Sequence, residues 1–150
     1  MDGFMDNLKK KFTVKESACL KRSALLVEDD PFCQKIQSHC LSELGYKVEI
    51  ASNATTAIHR VEHSAYNLIV LDLGLPDESG ELVICAIREF KANQLTPLIV
   101  ATAQADAPTQ QKCLYLGADI VFMKPFDTQT LSKAIDFCHS RIKEPFHANQ

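Results

Sequence analysis

Four short stretches of this 150-residue chain end in side chains that could do chemistry together. Glu28, Asp29 and Asp30 follow the apolar run 24–27, and Asp72 closes the run 68–71. Thr102 follows 98–101, and Lys124-Pro125 follow 120–123. A single acid at such a place serves as a helix cap or a solvated loop residue. Several acids converging on one rim repel one another unless a cation sits between them. Hard carboxylate oxygens suit Mg²⁺, which keeps several of its waters. A lysine and a hydroxyl facing the acids supply donors for an anionic group. This combination meets the requirements of carboxylate phosphorylation. The carboxylate is the nucleophile, the cation bridges it to the incoming phosphoryl oxygens, and the lysine neutralises another oxygen.

The elements that must position these residues can be read from the apolar pattern. The runs 24–27, 68–71, 98–101 and 120–123 are nearly continuous, as in parallel strands covered on both faces. Residues 47–50 alternate, which predicts a strand with one wetter face at a sheet edge. Helical patterns lie between the strands. The first has Asp30 as N-cap, Pro31 at the first helical position, an apolar face of Ile36, Cys40, Leu41 and Leu44, and a stop at Gly45. The second starts after Ser52 or Asn53 and carries Ala54, Ala57, Ile58 and Val61. A third covers roughly 81–90, and a fourth opens near Pro108 and ends at Gly117. The last runs over about 128–142, with Leu131, Ala134, Ile135, Cys138 and Ile142 on its inner stripe. Five alternations of strand and helix predict an α/β, doubly wound, five-stranded parallel sheet with five helices and right-handed crossovers. Ligands of such sheets sit outside the carboxyl ends of the strands, where the acids, the threonine and the lysine fall.

Bulk properties fit one domain with short flanks: residues 1–22 as an extension or connector, 23–142 as the domain, and 143–150 as a tail. Hydrophobic residues are 46% and charged residues 23% of the chain, an ordinary globular composition. A net charge of -3 gives no field to recruit nucleic acid, and no apolar run reaches membrane-spanning length. The six cysteines form no C-x-x-C pair and mostly fall in apolar or helical patterns, which suits a reduced cytoplasmic interior. Phe4, Leu8 and Phe12 have helical spacing around Lys9-Lys10-Lys11, read as a solvated stretch. His59 and His63 lie four apart with nothing in the sequence to complete a metal set, and they read as a solvated helix face.

Over roughly 23–142 the chain resembles the response-regulator receiver family of two-component signalling, typified by the bacterial chemotaxis regulator. The resemblance is carried by Leu25-Leu26-Val27-Glu28-Asp29-Asp30-Pro31 and by Asp72-Leu73-Gly74-Leu75-Pro76-Asp77-Glu78-Ser79-Gly80. Thr102-Ala103 and Lys124-Pro125-Phe126 complete it, 30 residues after Asp72 and a further 22 after Thr102. It implies a flavodoxin-like sheet of order 2-1-3-4-5. It also implies Asp72 as phosphoacceptor, Asp29 as a direct Mg²⁺ ligand, Glu28 as a ligand through water, and Gly74 as a carbonyl ligand. Thr102 would hydrogen-bond the phosphoryl group and Lys124 would pair with it, across a cis Lys124-Pro125 bond. Gly74 and Gln104 hold positions that in the family tune water access to the acyl phosphate. Asp30 is left to cap the first helix. The chain departs from the family at Val121, where many members carry an aromatic ring that couples to the threonine.

The resemblance implies a histidine kinase or histidine phosphotransfer protein as donor. Its output face is expected on the fourth helix, fifth strand and fifth helix, with a monomer or a phosphorylation-dependent dimer. A receiver fragment of a hybrid kinase and a phosphorelay shuttle are alternatives. An aspartyl-phosphate phosphatase needs a second aspartate where this chain has Gly74. A flavodoxin-like cofactor site would meet repulsion from Glu28-Asp29-Asp30, and a protein-binding pseudo-receiver would lack part of the acidic set.

Overall fold

The computed structural model describes residues 22–142. The chain runs β1 (Arg22–Val27), α1 (Pro31–Glu43), β2 (Tyr46–Ala51), α2 (Ala54–His63), β3 (Leu68–Leu71) and α3 (Gly80–Glu89). A short 3₁₀ turn (Lys91–Asn93) leads into β4 (Leu98–Thr102), α4 (Ala107–Leu116), β5 (Ile120–Met123) and α5 (Thr128–Ile142). The strands form one sheet of order β2-β1-β3-β4-β5, every pair parallel. This is the doubly wound order expected. The first strand starts at Arg22, inside the segment read as a connector. The features read in 1–21 and 143–150, including Cys19 and the lysine run, lie outside the described residues.

Alternation along each inner strand divides the core into two layers, as the pleat requires. Leu25, Val27, Ile69, Leu71, Leu98 and Val100 pack with α2, α3 and α4 through Ala57, Val61, Val83, Ile84, Ile87 and Cys113. Their neighbours Ala24, Leu26, Leu68, Val70 and Ile99 pack with α1 and α5 through Leu41, Leu131, Ala134 and Cys138. Both faces of the sheet are therefore dry, which explains why these strands read as unbroken apolar runs.

Local chemistry sets the helix ends. Asp30 caps α1 by accepting from the Cys33 amide at 2.8 Å, with Pro31 following, and Gly45 ends it at a φ of 94°. Gly117 closes α4 at a φ of 127°, and a Cβ there would lie 2.6 Å from Cγ of Arg88. Arg88 fills that space for a reason. Its guanidinium donates to the carbonyls of Gly117, Gln94 and Thr96 and pairs with Asp119 at 3.1 Å, fastening α3 to the corner before β5.

Two expectations need correction. Ile36 is 45% exposed and not on the inner stripe of α1, because the buried row is Gln37, Cys40 and Leu41. Strand β5 is only half-buried, with Met123 56% exposed, because it ends the sheet and has no neighbour beyond it. Among the cysteines, Cys40, Cys113 and Cys138 are buried, Cys33 is intermediate and Cys85 is exposed. No helix among the described residues is long and apolar enough to cross a membrane.

Candidate functional site

The carboxyl end of β1 stays paired with those of β3 and β2 one step beyond their ladders. The Asp72 amide donates to the Val27 carbonyl at 2.9 Å, and the Glu28 amide donates to the Ala51 carbonyl at 3.0 Å. That pairing brings Glu28 and Asp72 onto one rim. Carboxylate oxygens of Glu28, Asp29 and Asp72 all lie within 4.8 Å of one another. Glu28 is fully buried, Asp72 is 8% exposed and Asp29 faces solvent. Asp30 stays out of this group and serves the α1 cap. Hydrogen bonds from Cys33 hold its carboxyl below the usual carboxylate range.

Lys124 enters from the end of β5, across a cis bond to Pro125. Its own amide donates to the Thr102 carbonyl at 2.8 Å, which continues the β4–β5 pairing past its last register. The ammonium lies 2.8 Å from Oε1 of Glu28 and 3.3 Å from Oδ2 of Asp72. Burial alone would pull its pKa down, but the hydrogen bond to Glu28 and the charges of Asp72 and Glu28 outweigh it and hold the ammonium above its ordinary value. Lys124 is therefore a fixed cation at neutral pH.

Thr102 is buried at the end of β4, where its hydroxyl accepts from the Gln104 amide at 3.3 Å. Asp72, Gly74, Thr102, Gln104 and Lys124 line one cleft of about 450 Å³. Gly74 turns its amide to Oδ1 of Asp72 at 3.3 Å, and a Cβ at Gly74 would sit 3.9 Å from the Asp72 carboxylate. A Cβ there would make an ordinary van der Waals contact with that carboxylate. Three acids in reach of one another suit a hard divalent cation of the Mg²⁺ kind, and a lysine with a hydroxyl suits an oxyanion beside it. The donor set therefore fits both groups.

Some supporting residues escaped the sequence reading. Gln37 donates to Oε1 of Glu28 at 3.1 Å, and Gln34 donates to the Glu28 carbonyl at 2.7 Å and to the Ser52 hydroxyl at 3.1 Å. No signal in the sequence marked Gln37, because hydrophobicity put Ile36 on the inner face of α1. Asp77, from the loop after Asp72, accepts from the amides of Ala54 and Thr55 at 2.8 and 3.0 Å and from the Thr55 hydroxyl at 2.7 Å. Nothing local marks it. Next to the site, the Cys33 thiol is pushed up to about 11 by its hydrogen bond to Asp30, then by burial and the charge of Glu28, so it stays protonated. His59 and His63 stack with ring centroids 4.4 Å apart on an exposed face, outside the one acidic metal-capable cluster among the described residues.

Comparison with known proteins agrees with this geometry. Residues 24–136 match the family model of the response regulator receiver domain. The chain is 36% identical over 107 residues to the response regulator ArlR of Staphylococcus saprophyticus, covering 71% of this chain and 47% of that protein. Over 118 residues it is 31% identical to hybrid signal transduction histidine kinase B of Dictyostelium discoideum, covering 71% of this chain and 6% of the kinase. It thus spans less than half the length of these curated relatives. Among solved structures, it resembles the receiver domain of a sensor histidine kinase from Pseudomonas aeruginosa PAO1, crystallised with magnesium coordinated in the active-site cleft. That match has a TM-score of 0.71 and 30% identity, over 77% of this chain and 94% of the other. Chemotaxis protein CheY4 of Vibrio cholerae matches with a TM-score of 0.72 and 26% identity, over 77% and 96% of the two chains. The sheet order, the acidic rim with its lysine and the family match over 24–136 agree: this chain belongs to the response regulator receiver domain family of two-component systems.

Proposed function

We propose that the domain takes a phosphoryl group from a phosphohistidine donor onto Asp72, and that phosphorylation changes which protein it binds. The observation that carries this reading is the pairing of three carboxylates within 4.8 Å with one ammonium 3.3 Å from Asp72. Glu28, Asp29 and Asp72 would hold Mg²⁺ with the Gly74 carbonyl, and the Pseudomonas receiver has magnesium coordinated in its active-site cleft. Magnesium, when bound, supplies positive charge to the phosphoryl oxygens.

The remaining work falls to this chain. An Asp72 oxygen attacks phosphorus while the phosphorus–nitrogen bond to the donor imidazole breaks, and the imidazole leaves with the electron pair. Lys124 neutralises a phosphoryl oxygen as charge spreads, and Thr102 donates its hydroxyl to another. The position two residues after Asp72, where an aspartyl-phosphate phosphatase carries its second aspartate, is Gly74. The domain therefore acts as a signalling acceptor and not as a turnover phosphatase. A histidine kinase or histidine phosphotransfer protein is the donor class, and the cytoplasm is the compartment in which it would be met. Relatives include both response regulators and a hybrid kinase, so a receiver within a longer kinase is the second reading. The proposed output face is α4, β5 and α5, and the exposed Met123 on the edge strand supports it.

The test is intact-protein mass after incubation with acetyl phosphate and Mg²⁺. One phosphoryl adduct is expected on the wild type and none on Asp72→Asn. A stable adduct of the same kind on the variant overturns the assignment of Asp72.

A further inference from the structure

We infer that Gln37 is a positioning residue that lets Lys124 leave Glu28 for the phosphoryl group, an inference that rests on the phosphoacceptor reading of Asp72. Glu28 has no solvent exposure, and protein groups donate to both its carboxylate oxygens. Oε2 accepts from the Asp30 amide at 3.2 Å. Oε1 carries two donors, the Lys124 ammonium at 2.8 Å and the Gln37 amide at 3.1 Å. The lysine is therefore held more closely by the buried Glu28 than by Asp72, at 3.3 Å.

That arrangement poses a problem for the reaction. To neutralise a phosphoryl oxygen on Asp72, the ammonium must move toward the acceptor and lengthen its bond to Glu28. A buried carboxylate oxygen left short of donors is costly. Gln37 removes that cost by keeping Oε1 bonded after the lysine has moved. Being neutral, it does so without cancelling the Glu28 charge that the cation needs. A hydrocarbon would pack as well at this place. Gln37 is 6% exposed and shares the inner stripe of α1 with Cys40 and Leu41. What distinguishes the amide from a leucine or methionine is its bond to Glu28.

The measured quantity is the rate of adduct formation with acetyl phosphate at saturating Mg²⁺. The Asp72 oxygen–phosphorus bond forms, the acetyl oxygen–phosphorus bond breaks, acetate leaves with the electron pair, and no proton passes through Gln37. Gln37→Met, which keeps length and volume, should lower the maximal rate about tenfold and leave the half-saturating donor concentration unchanged. In a Lys124→Ala background, where no lysine has to be released, the same substitution should have no further effect. A Gln37→Met rate within twofold of wild type, or an equal loss in both backgrounds, overturns the inference. A wild type that takes no phosphoryl group fails at the phosphoacceptor reading instead. Should Gln37→Met not fold, NMR of the wild type decides. The Gln37 side-chain amide should keep its slow solvent exchange when Mg²⁺ and beryllofluoride are added, and its release to fast exchange overturns the proposal.

Discussion

Protein donors converge on both oxygens of the buried Glu28, whereas, among the described residues, Asp29 faces solvent and its acidic neighbours. Crowding three carboxylates within 4.8 Å around a single ammonium leaves excess negative charge on the rim when no cation is bound. Part of that repulsion is screened at the exposed Asp29, so its relief is worth about 1 kcal/mol, or roughly 2–4 °C in a chain of this size. Asp29→Asn should therefore melt higher than wild type in chelator. Adding Mg²⁺ should reverse the order, because a ligand that binds only the folded state stabilises by mass action and the variant has lost a ligand. Thermal melts with EDTA and with excess Mg²⁺ check both halves. A variant that melts clearly below wild type in chelator would show that the rim is not electrostatically strained.

At the scale of elements, the loop after Asp72 is tied to α2 by Asp77. The first amides of a helix have no partner within it, and in α2 those of Ala54 and Thr55 are both taken by the Asp77 carboxylate, while Asn53 takes that of Thr56. These bonds, the Thr55 hydroxyl first, hold the Asp77 carboxyl far below its unperturbed 3.8. A depressed folded pKa means that the ionised form is the one folding favours. Its stabilisation is complete above the unfolded value and is lost as pH falls through the folded one. Asp77→Asn should lower the melting temperature by a few degrees at neutral pH, with the gap to wild type constant down to about pH 5 and closing below pH 3.8. Melts of both proteins from pH 7 to pH 2.5 test this. A gap that widens on acidification would contradict the assignment.

For the whole molecule, the proposed function requires switching to travel from Thr102 to an exposed face without an aromatic ring at position 121. Val121 is half-buried on the edge strand and has one stiff torsion, so it offers little room for a rotamer switch. The Thr102 hydroxyl instead accepts from the Gln104 amide, which links it to the segment leading into α4. Drawing that hydroxyl toward a phosphoryl oxygen breaks or re-aims the link, and the loop must respond. Couplings of this kind are worth about 1–3 kcal/mol. NMR shift mapping with Mg²⁺ and beryllofluoride should show larger changes over 103–117 than at Val121 or in α5. Changes confined to α1 and α2 would move the output face to the other side of the sheet. Exposed Met123, Tyr115 and Phe137, on β5, α4 and α5, are the residues whose substitution should weaken partner binding without slowing phosphorylation.

The pattern of apolar runs was enough to determine the strand and helix order, because strands dry on both faces leave an unbroken signature and capping residues such as Asp30 and Asn53 act over three or four positions. The acidic rim, Thr102 and Lys124 were legible for a related reason: in a parallel sheet every strand end falls on the same side. Asp77 could not be read, since its partners lie more than 20 residues away and are backbone amides of no particular type. Neither could the phase of α1 be fixed. Ile36 and Gln37 are adjacent, and hydrophobicity alone put Ile36 inside, but a buried Glu28 on the facing strand end needed a donor there, so the helix sits with Gln37 inward and Ile36 at the margin. Which partner Lys124 holds at rest was also a tertiary decision. It follows the difference between a fully buried carboxylate and a slightly exposed one.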